Sequence, residues 1–199
     1  MENILTTRRS LIRQVVRDMV TAFKTMSPGN FILPDDITGE MMYESFDRIS
    51  FQVEFNCIEN FEIMDFEIDG GFYVEEDTFE IEVNYNPDAF PKKLYDLVSE
   101  LNDVFTHEFQ HYIQARNGQR LKTKTNNSFK YYLQPHELEA QVAGFSRVAK
   151  ITKQPFEKVV NDWFGKKNKH NNLTPKEIEI IINKIISIHN AKKLSSITK

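Results

Sequence analysis

The feature that most constrains this chain is the run His107-Glu108-Phe109-Gln110-His111, which lies inside a longer stretch with helical spacing. Apolar residues of that stretch recur every three or four positions, at Leu94, Leu97, Val98, Leu101, Val104 and Phe105. We therefore predict one long helix from about Pro91 to about Arg116, closed by Asn117-Gly118. Residues four apart lie on one face of a helix, so the two histidines stand one turn apart on the same side.

Two imidazoles at this spacing can reach one Zn²⁺ ion at ~2.0–2.1 Å. Glu108 falls between them, where it can hold and deprotonate a water molecule as the general base of a metallopeptidase does. No other charged residue interrupts the segment from Val104 to Ile113, as a buried metal-binding helix requires. Two ordinary histidines on a solvated helix face would not be flanked so consistently by apolar residues.

Composition favours one folded domain and limits the chemistry of a metal site. With 199 residues and 40% hydrophobic content, the chain can bury one good core, and we predict a single domain over residues 1–199. The only cysteine, Cys57, excludes an internal disulfide and a cysteine-based zinc site. Histidine and carboxylate remain as ligands. The net charge of −4 does not favour a nucleic-acid partner.

The first half of the chain predicts an N-terminal helix followed by a sheet. Apolar residues at helical spacing predict a helix over Thr6–Met26, within a segment 1–27. Strict alternation predicts strands over Ile49–Cys57 and Thr78–Tyr85, with less regular strands at Phe61–Ile68 and Phe72–Val74. With a turn expected at Gly70-Gly71, these strands predict an antiparallel meander of three or four strands.

The second half is predicted to be helical. A long loop is expected over Asn117–Gln134, with a short strand as the alternative for part of it. Helices then follow from about His136 to Lys150, from about Gln154 to Phe164, and from Thr174 onward, with a frayed tail after Ala191. The last helix begins with a capping box, in which Thr174 and Glu177 satisfy each other's backbone N–H groups. The predicted class is α+β: a mainly antiparallel sheet packed on the long helix, with helices at both ends.

A catalytic zinc site needs a third protein ligand, and Gln134–Phe145, with the sequence QPHELEAQVAGF, supplies candidates. Together with the His107–His111 motif, this segment resembles the gluzincin branch of the zincin metallopeptidases. The closest likeness is to small ImmA/IrrE-like peptidases and minimal phage-encoded zinc peptidases. The resemblance covers roughly residues 48–150, which we take as the catalytic core, and leaves 1–27 and the helical extension 151–199 outside it.

The resemblance implies a ligand set and a fold. Glu137 matches the family's glutamate ligand on the helix after the motif, whereas Gln141 stands where the family pattern has Asp or Asn. Glu139 is the rival ligand on a different helix face, and His136 is a weaker candidate. The implied fold is zincin-like, with three or four strands, and the implied cofactor is Zn²⁺.

Two further expectations follow from the same resemblance. Tyr131 or Tyr132, which lie between the two motifs, would stabilise the oxyanion of the transition state, although packing roles are the simpler interpretation. The strand Thr78–Tyr85 would be the edge strand that pairs with an extended substrate peptide. The lone histidines His170 and His189 receive no role in the site.

We therefore expect a zinc-dependent peptidase, of endopeptidase type, acting on a protein or peptide substrate. The alternative is a zincin-fold binding, structural or regulatory protein, for instance a phage component, whose metal site does not catalyse. No apolar run approaches the ~20 residues of a membrane span, and the N-terminus does not resemble a signal peptide. A cytoplasmic location without membrane contact is therefore expected. The sequence does not indicate an oligomeric state.

Overall fold

The computed structural model describes residues 13, 16–17, 37–43, 47–57, 66–76, 78–85, 94–119, 121 and 125–197. These residues form both helices and a sheet, so the predicted α+β class is confirmed. The chain divides into two compact units, Met1–Tyr112 and Ile113–Lys199. Arg13, Val16 and Arg17 are helical, and the remainder of the predicted N-terminal helix lies outside the described residues.

The first unit contains a four-stranded sheet and most of one helix. The strands are β1 (Ile37–Tyr43), β2 (Asp47–Cys57), β3 (Phe66–Tyr73) and β4 (Thr78–Tyr85), in the spatial order β1-β2-β4-β3. The helix α1 (Leu94–Arg116) carries the histidine motif. It continues past Tyr112, so its last turn belongs to the second unit.

The strand pairing corrects three sequence predictions. The strands do not form a meander, because β2 pairs with β4 in parallel, while the other two pairings are antiparallel. Gly70 and Gly71 lie within β3 rather than at a turn. The strand Thr78–Tyr85 lies between β2 and β3, so it is not an edge strand. Among the strands that the structure describes, the edges are β1, which the sequence did not predict, and β3.

Side-chain alternation along β4 explains how the sheet packs on α1. Phe79, Ile81 and Val83 are buried, whereas Glu80 and Glu82 between them are exposed. One stripe of α1 supplies the other half of this core with five side chains of 0% exposure: Leu97, Leu101, Phe105, Phe109 and Tyr112. Phe79 stacks on Phe109 with ring centroids 5.9 Å apart. Burying each such side chain stabilises the fold by about 1.5–3 kcal/mol.

The second unit is helical. After α1 come α2 (Ser128–Tyr132), α3 (Pro135–Thr152), α4 (Phe156–Asn171) and α5 (Pro175–Ile197). A buried cluster holds them together; its members are Tyr132, Leu138, Val142, Phe145, Val159, Val160, Phe164, Leu173, Ile181 and Ile185. The predicted loop between the motif helix and the next helix therefore contains a short helix, α2. The predicted frayed tail after Ala191 is wrong, because α5 continues to Ile197.

Candidate metal centre

Helix α1 presents two different faces. One is the apolar stripe against the sheet, and the other carries His107 and His111. His111 is 7% exposed and His107 is partly buried. Their Nε2 atoms lie 3.1 Å apart, and the two rings meet edge to face with centroids 4.8 Å apart. The imidazoles therefore converge on one point instead of projecting separately into solvent.

Glu137 supplies a third donor atom at the same place. It lies in the first turn of α3 and is 3% exposed. One ligand atom from each of His107, His111 and Glu137 lies within 4.8 Å of the other two. This is the only such group among the residues that the structure describes. Of the residues singled out from the sequence, these three are the ones brought together.

The donor set fits a divalent ion of the zinc type. Two nitrogens bound to one tetrahedral ion at 2.0–2.1 Å would lie about 3.3–3.4 Å apart, close to the 3.1 Å between the imidazole Nε2 atoms. Two neutral imidazoles and one carboxylate form the ligand set that zinc accepts in hydrolases.

The rivals of Glu137 make other contacts. The Oε2 atom of Glu139 accepts a hydrogen bond from Nε2 of Gln114 at 3.1 Å. The Nε2 atom of His136 lies 3.5 Å from Oε1 of Glu137. Neither Glu139 nor His136 belongs to the converging group. Within the described residues, the geometry therefore favours Glu137 as the third ligand.

Glu108 lies at the boundary between the two faces of α1. It is 8% exposed, and its Oε1 is 3.9 Å from Nε2 of His107. On its other side, Cγ of Glu108 lies 3.4 Å from the position that a Cβ would occupy at Gly70 of strand β3. The same hypothetical Cβ would lie 2.5 Å from Cγ1 of Val104. Only a glycine lets β3 approach α1 so closely beside the candidate base.

The two tyrosines proposed as oxyanion donors make packing contacts in the helical unit. Tyr132 is 8% exposed, and its ring meets those of Trp163 and Phe164 edge-on. Tyr131 packs edge-on against Tyr132, with centroids 5.6 Å apart. These contacts account for both rings. An oxyanion role for either hydroxyl stays a prediction from the sequence.

Sequence reasoning missed Gln114, which lies three residues after His111 on the same side of α1. It is 1% exposed, and its Nε2 donates both to the carbonyl oxygen of His136, at 3.0 Å, and to Glu139. The sequence did contain a signal for this role, because Gln114 is a polar residue directly after the apolar pair Tyr112 and Ile113 that follows the motif. Its spacing from His111 places it on the histidine face and away from the apolar stripe.

Comparison with known proteins identifies no relative. No family model matches the chain, and neither the curated proteins nor the solved structures include a match. In the part of the chain that the structure describes, every helix is too short or too polar to cross a membrane. The functional conclusion therefore depends on the residues of the site alone.

Proposed function

We propose that this protein is a zinc-dependent peptidase with a zincin-like catalytic core. The observation that carries the proposal is the convergence of His107, His111 and Glu137, with Oε1 of Glu108 only 3.9 Å from Nε2 of His107. A buried glutamate beside three ligands that leave one coordination position open is the arrangement of a hydrolytic metal site. A site that only stabilises the fold would more often be closed by four protein ligands.

The chain's own residues have distinct roles in this proposal. A zinc ion held by His107, His111 and Glu137 would supply Lewis-acid polarisation of water and of the scissile carbonyl. Glu108 accepts a proton from the attacking water and delivers it to the leaving amine. The low exposure of Glu108 excludes bulk water, which strengthens its electrostatic interactions with the reacting groups.

The edge strand β3 is the proposed docking strand for the substrate, in place of the strand Thr78–Tyr85. An extended peptide can add to a free strand edge through main-chain hydrogen bonds. The support is the close approach of Gly70 to Glu108, which brings this edge beside the candidate base. The exposed Asp69 on β3 would favour a substrate with basic side chains.

Substitution of the base tests the proposal. Glu108→Gln removes the proton acceptor and keeps the size of the side chain, so zinc content should be unchanged. Cleavage of a random peptide library, measured by mass spectrometry, should fall by about 10²–10⁴-fold. The matched control is Glu100→Gln, the same change two turns earlier on α1, which should leave cleavage intact.

Two results would overturn the proposal. E108Q protein that cleaves as well as the unchanged protein removes the assigned base. Zinc-loaded protein that cleaves no member of the library favours the alternative, a zincin-fold binding or regulatory protein with a non-catalytic metal site. In the second case the metal ligands would still be required for zinc binding.

A pair of glycine substitutions tests the docking strand. Gly70→Ala places a Cβ against Val104 and should displace β3 from α1, at a cost typical of overpacking, about 1–3 kcal/mol. Cleavage should fall more than zinc affinity does. Gly71→Ala is the control, because its Cβ would meet the ring of Tyr73 at an ordinary 3.5 Å. Equal activity of the two variants would contradict the assignment of β3.

A further inference from the structure

The last turn of α1 and the first turn of α3 are joined through one side chain. Gln114 uses the two N–H bonds of its amide for two acceptors, the carbonyl oxygen of His136 and the carboxylate of Glu139. Those acceptors belong to residues on either side of Glu137 in α3. Gln114 therefore contacts one residue before Glu137 and one residue after it in the sequence of α3.

Local capping does not fix the start of α3. Its N-cap residue, Gln134, makes no side-chain hydrogen bond to the first turn. The backbone N–H of Gln134 donates to the carbonyl oxygen of Tyr131, at 3.0 Å. No side-chain cap therefore holds this turn, and Gln114 of α1 supplies two hydrogen bonds to it from another helix.

We infer that Gln114 is a positioning residue of the metal centre, which holds the start of α3 so that the carboxylate of Glu137 converges with His107 and His111. Gln114 and the two histidines lie on one continuous helix. The hydrogen bonds of Gln114 therefore fix the position of the first turn of α3 relative to the histidines. The inference depends on the metal site of the proposed function and does not depend on hydrolysis.

Burial increases the energetic cost of losing the two hydrogen bonds of Gln114. Gln114 is 1% exposed, so bulk water does not compete for its amide, and a buried side chain that loses its hydrogen bonds is costly. The two bonds are of similar length, 3.0 Å to the carbonyl oxygen of His136 and 3.1 Å to the carboxylate of Glu139, so both contribute to holding this turn. Losing both would free the first turn of α3 to shift, and a displacement of about 1 Å is enough to separate a ligand from its ion.

Zinc affinity and a double substitution test the inference. Gln114→Met keeps the length of the side chain and removes both donors. We expect it to weaken zinc binding by about 10–100-fold, measured by competition with a chromophoric chelator. In a Glu137→Gln background, the same change should have almost no effect, because Gln114 acts through Glu137. Substituted Co²⁺ should absorb more weakly in Q114M protein as the carboxylate leaves the ion.

Glu139 offers a second pair of variants if Q114M protein does not fold. Glu139→Gln keeps an oxygen acceptor for Gln114 and should bind zinc nearly as well as the unchanged protein. Glu139→Ala removes that acceptor and should weaken binding, by less than Q114M does. The melting temperature of metal-free protein reports any general loss of stability separately.

The inference is overturned if Q114M protein binds zinc normally, or if it loses the same factor in the E137Q background, which would show a purely structural role. If E139A is the only variant that folds, affinity equal to that of E139Q overturns it instead. Unchanged protein that binds no zinc would remove both this inference and the proposed function. Normal zinc binding by E108Q protein with undiminished cleavage would remove only the hydrolytic role of Glu108.

Discussion

Helices α3 and α5 begin with proline and glutamate at the same two positions, but the two glutamates make different contacts. The first reads Gln134-Pro135-His136-Glu137 and the second reads Thr174-Pro175-Lys176-Glu177. In each, proline occupies the first helical position, where its missing N–H costs nothing. Each glutamate lies in the first turn, where the helix dipole favours negative charge.

At α5 the glutamate completes the capping box. Its Oε2 accepts hydrogen bonds from the backbone N–H of Thr174, at 2.8 Å, and from the threonine hydroxyl, at 2.7 Å. The hydroxyl in turn accepts from the N–H of Glu177, at 3.3 Å. The predicted capping box is therefore confirmed. These hydrogen bonds lower the pKa of Glu177, the backbone bond contributing most.

At α3 the glutamate in the first turn, Glu137, does not take part in a capping box. Gln134 has no hydroxyl, and its backbone N–H is already bonded to the carbonyl oxygen of Tyr131. Glu137 is not drawn back to the cap and instead meets the two histidines. The N-cap residue thus decides whether a glutamate three positions later serves its own helix or is available to a distant partner.

The largest expected difference between the two glutamates is in zinc binding. Glu137→Gln should weaken zinc affinity by more than about 100-fold, because a ligand contributes more than the outer contacts worth 10–100-fold. Glu177→Gln should leave it unchanged. Zinc added to E177Q protein should raise the melting temperature as in the unchanged protein, because a ligand that binds only the folded state stabilises it. Equal zinc affinities in the E137Q and E177Q proteins would show that the two glutamates do not differ in metal binding.

The next largest effect is in stability. Thr174→Ala removes the hydroxyl of the capping box and should lower the free energy of unfolding by about 1 kcal/mol, measured by urea denaturation. Zinc affinity should not change. A loss of zinc affinity in T174A protein would mean that the two helix starts are not independent.

Giving α3 the N-cap residue of α5 tests whether the N-cap determines what the glutamate binds. The Oε1 atom of Gln134 is buried and has no hydrogen-bond partner in the described structure. Gln134→Thr removes this atom and supplies a capping hydroxyl, so metal-free protein should gain up to about 1 kcal/mol of stability. Zinc affinity should fall less than tenfold as the new cap competes for Glu137. Unchanged stability would show that the cap does not limit α3.

The sequence was sufficient for features that short spacing determines. Residues four apart define the histidine face of α1, and the capping box of α5 spans four residues, so both follow from local geometry. The sequence also indicated Glu137, but only through its likeness to a family pattern. It could not decide between Glu137 and Glu139, because the two contacts that distinguish them are with residues more than twenty positions away: Glu139 bonds Gln114, and Glu137 meets the two histidines.

The same distinction between local and long-range contacts explains the errors in the sheet. Alternating residues located β4 at its observed bounds, since alternation is a property of the strand itself. The pairing of β2 with β4 is parallel, and no local pattern specifies which strands become neighbours. Gly70 suggested a turn, yet glycine is required there because β3 passes so close to Val104.

The smallest expected effects are in the pH dependence of stability. They distinguish the contribution of the capping box of α5 from that of a second contact on the same helix, made by His189. His189 of α5 stacks on Phe156 at 3.7 Å and lies 3.2 Å from the hydroxyl of Ser146. Burial lowers the pKa of His189 below its ordinary 6.5, with a further contribution from Lys193 and an opposing one from Glu157.

Both lowered pKa values predict stability that is lost on acidification, in two separate windows. The unfolded chain takes up a proton on His189 before the folded protein does, so stability should begin to fall below about pH 6.5. Protonation of Glu177 should remove more stability only below about pH 4.5. In urea titrations across pH, His189→Gln should reduce the first decrease and Glu177→Gln the second. If either variant reduced both decreases, the capping box and the histidine contact would be coupled. The start of α5 would then depend on contacts beyond its own first turn, and its contrast with α3 would fail.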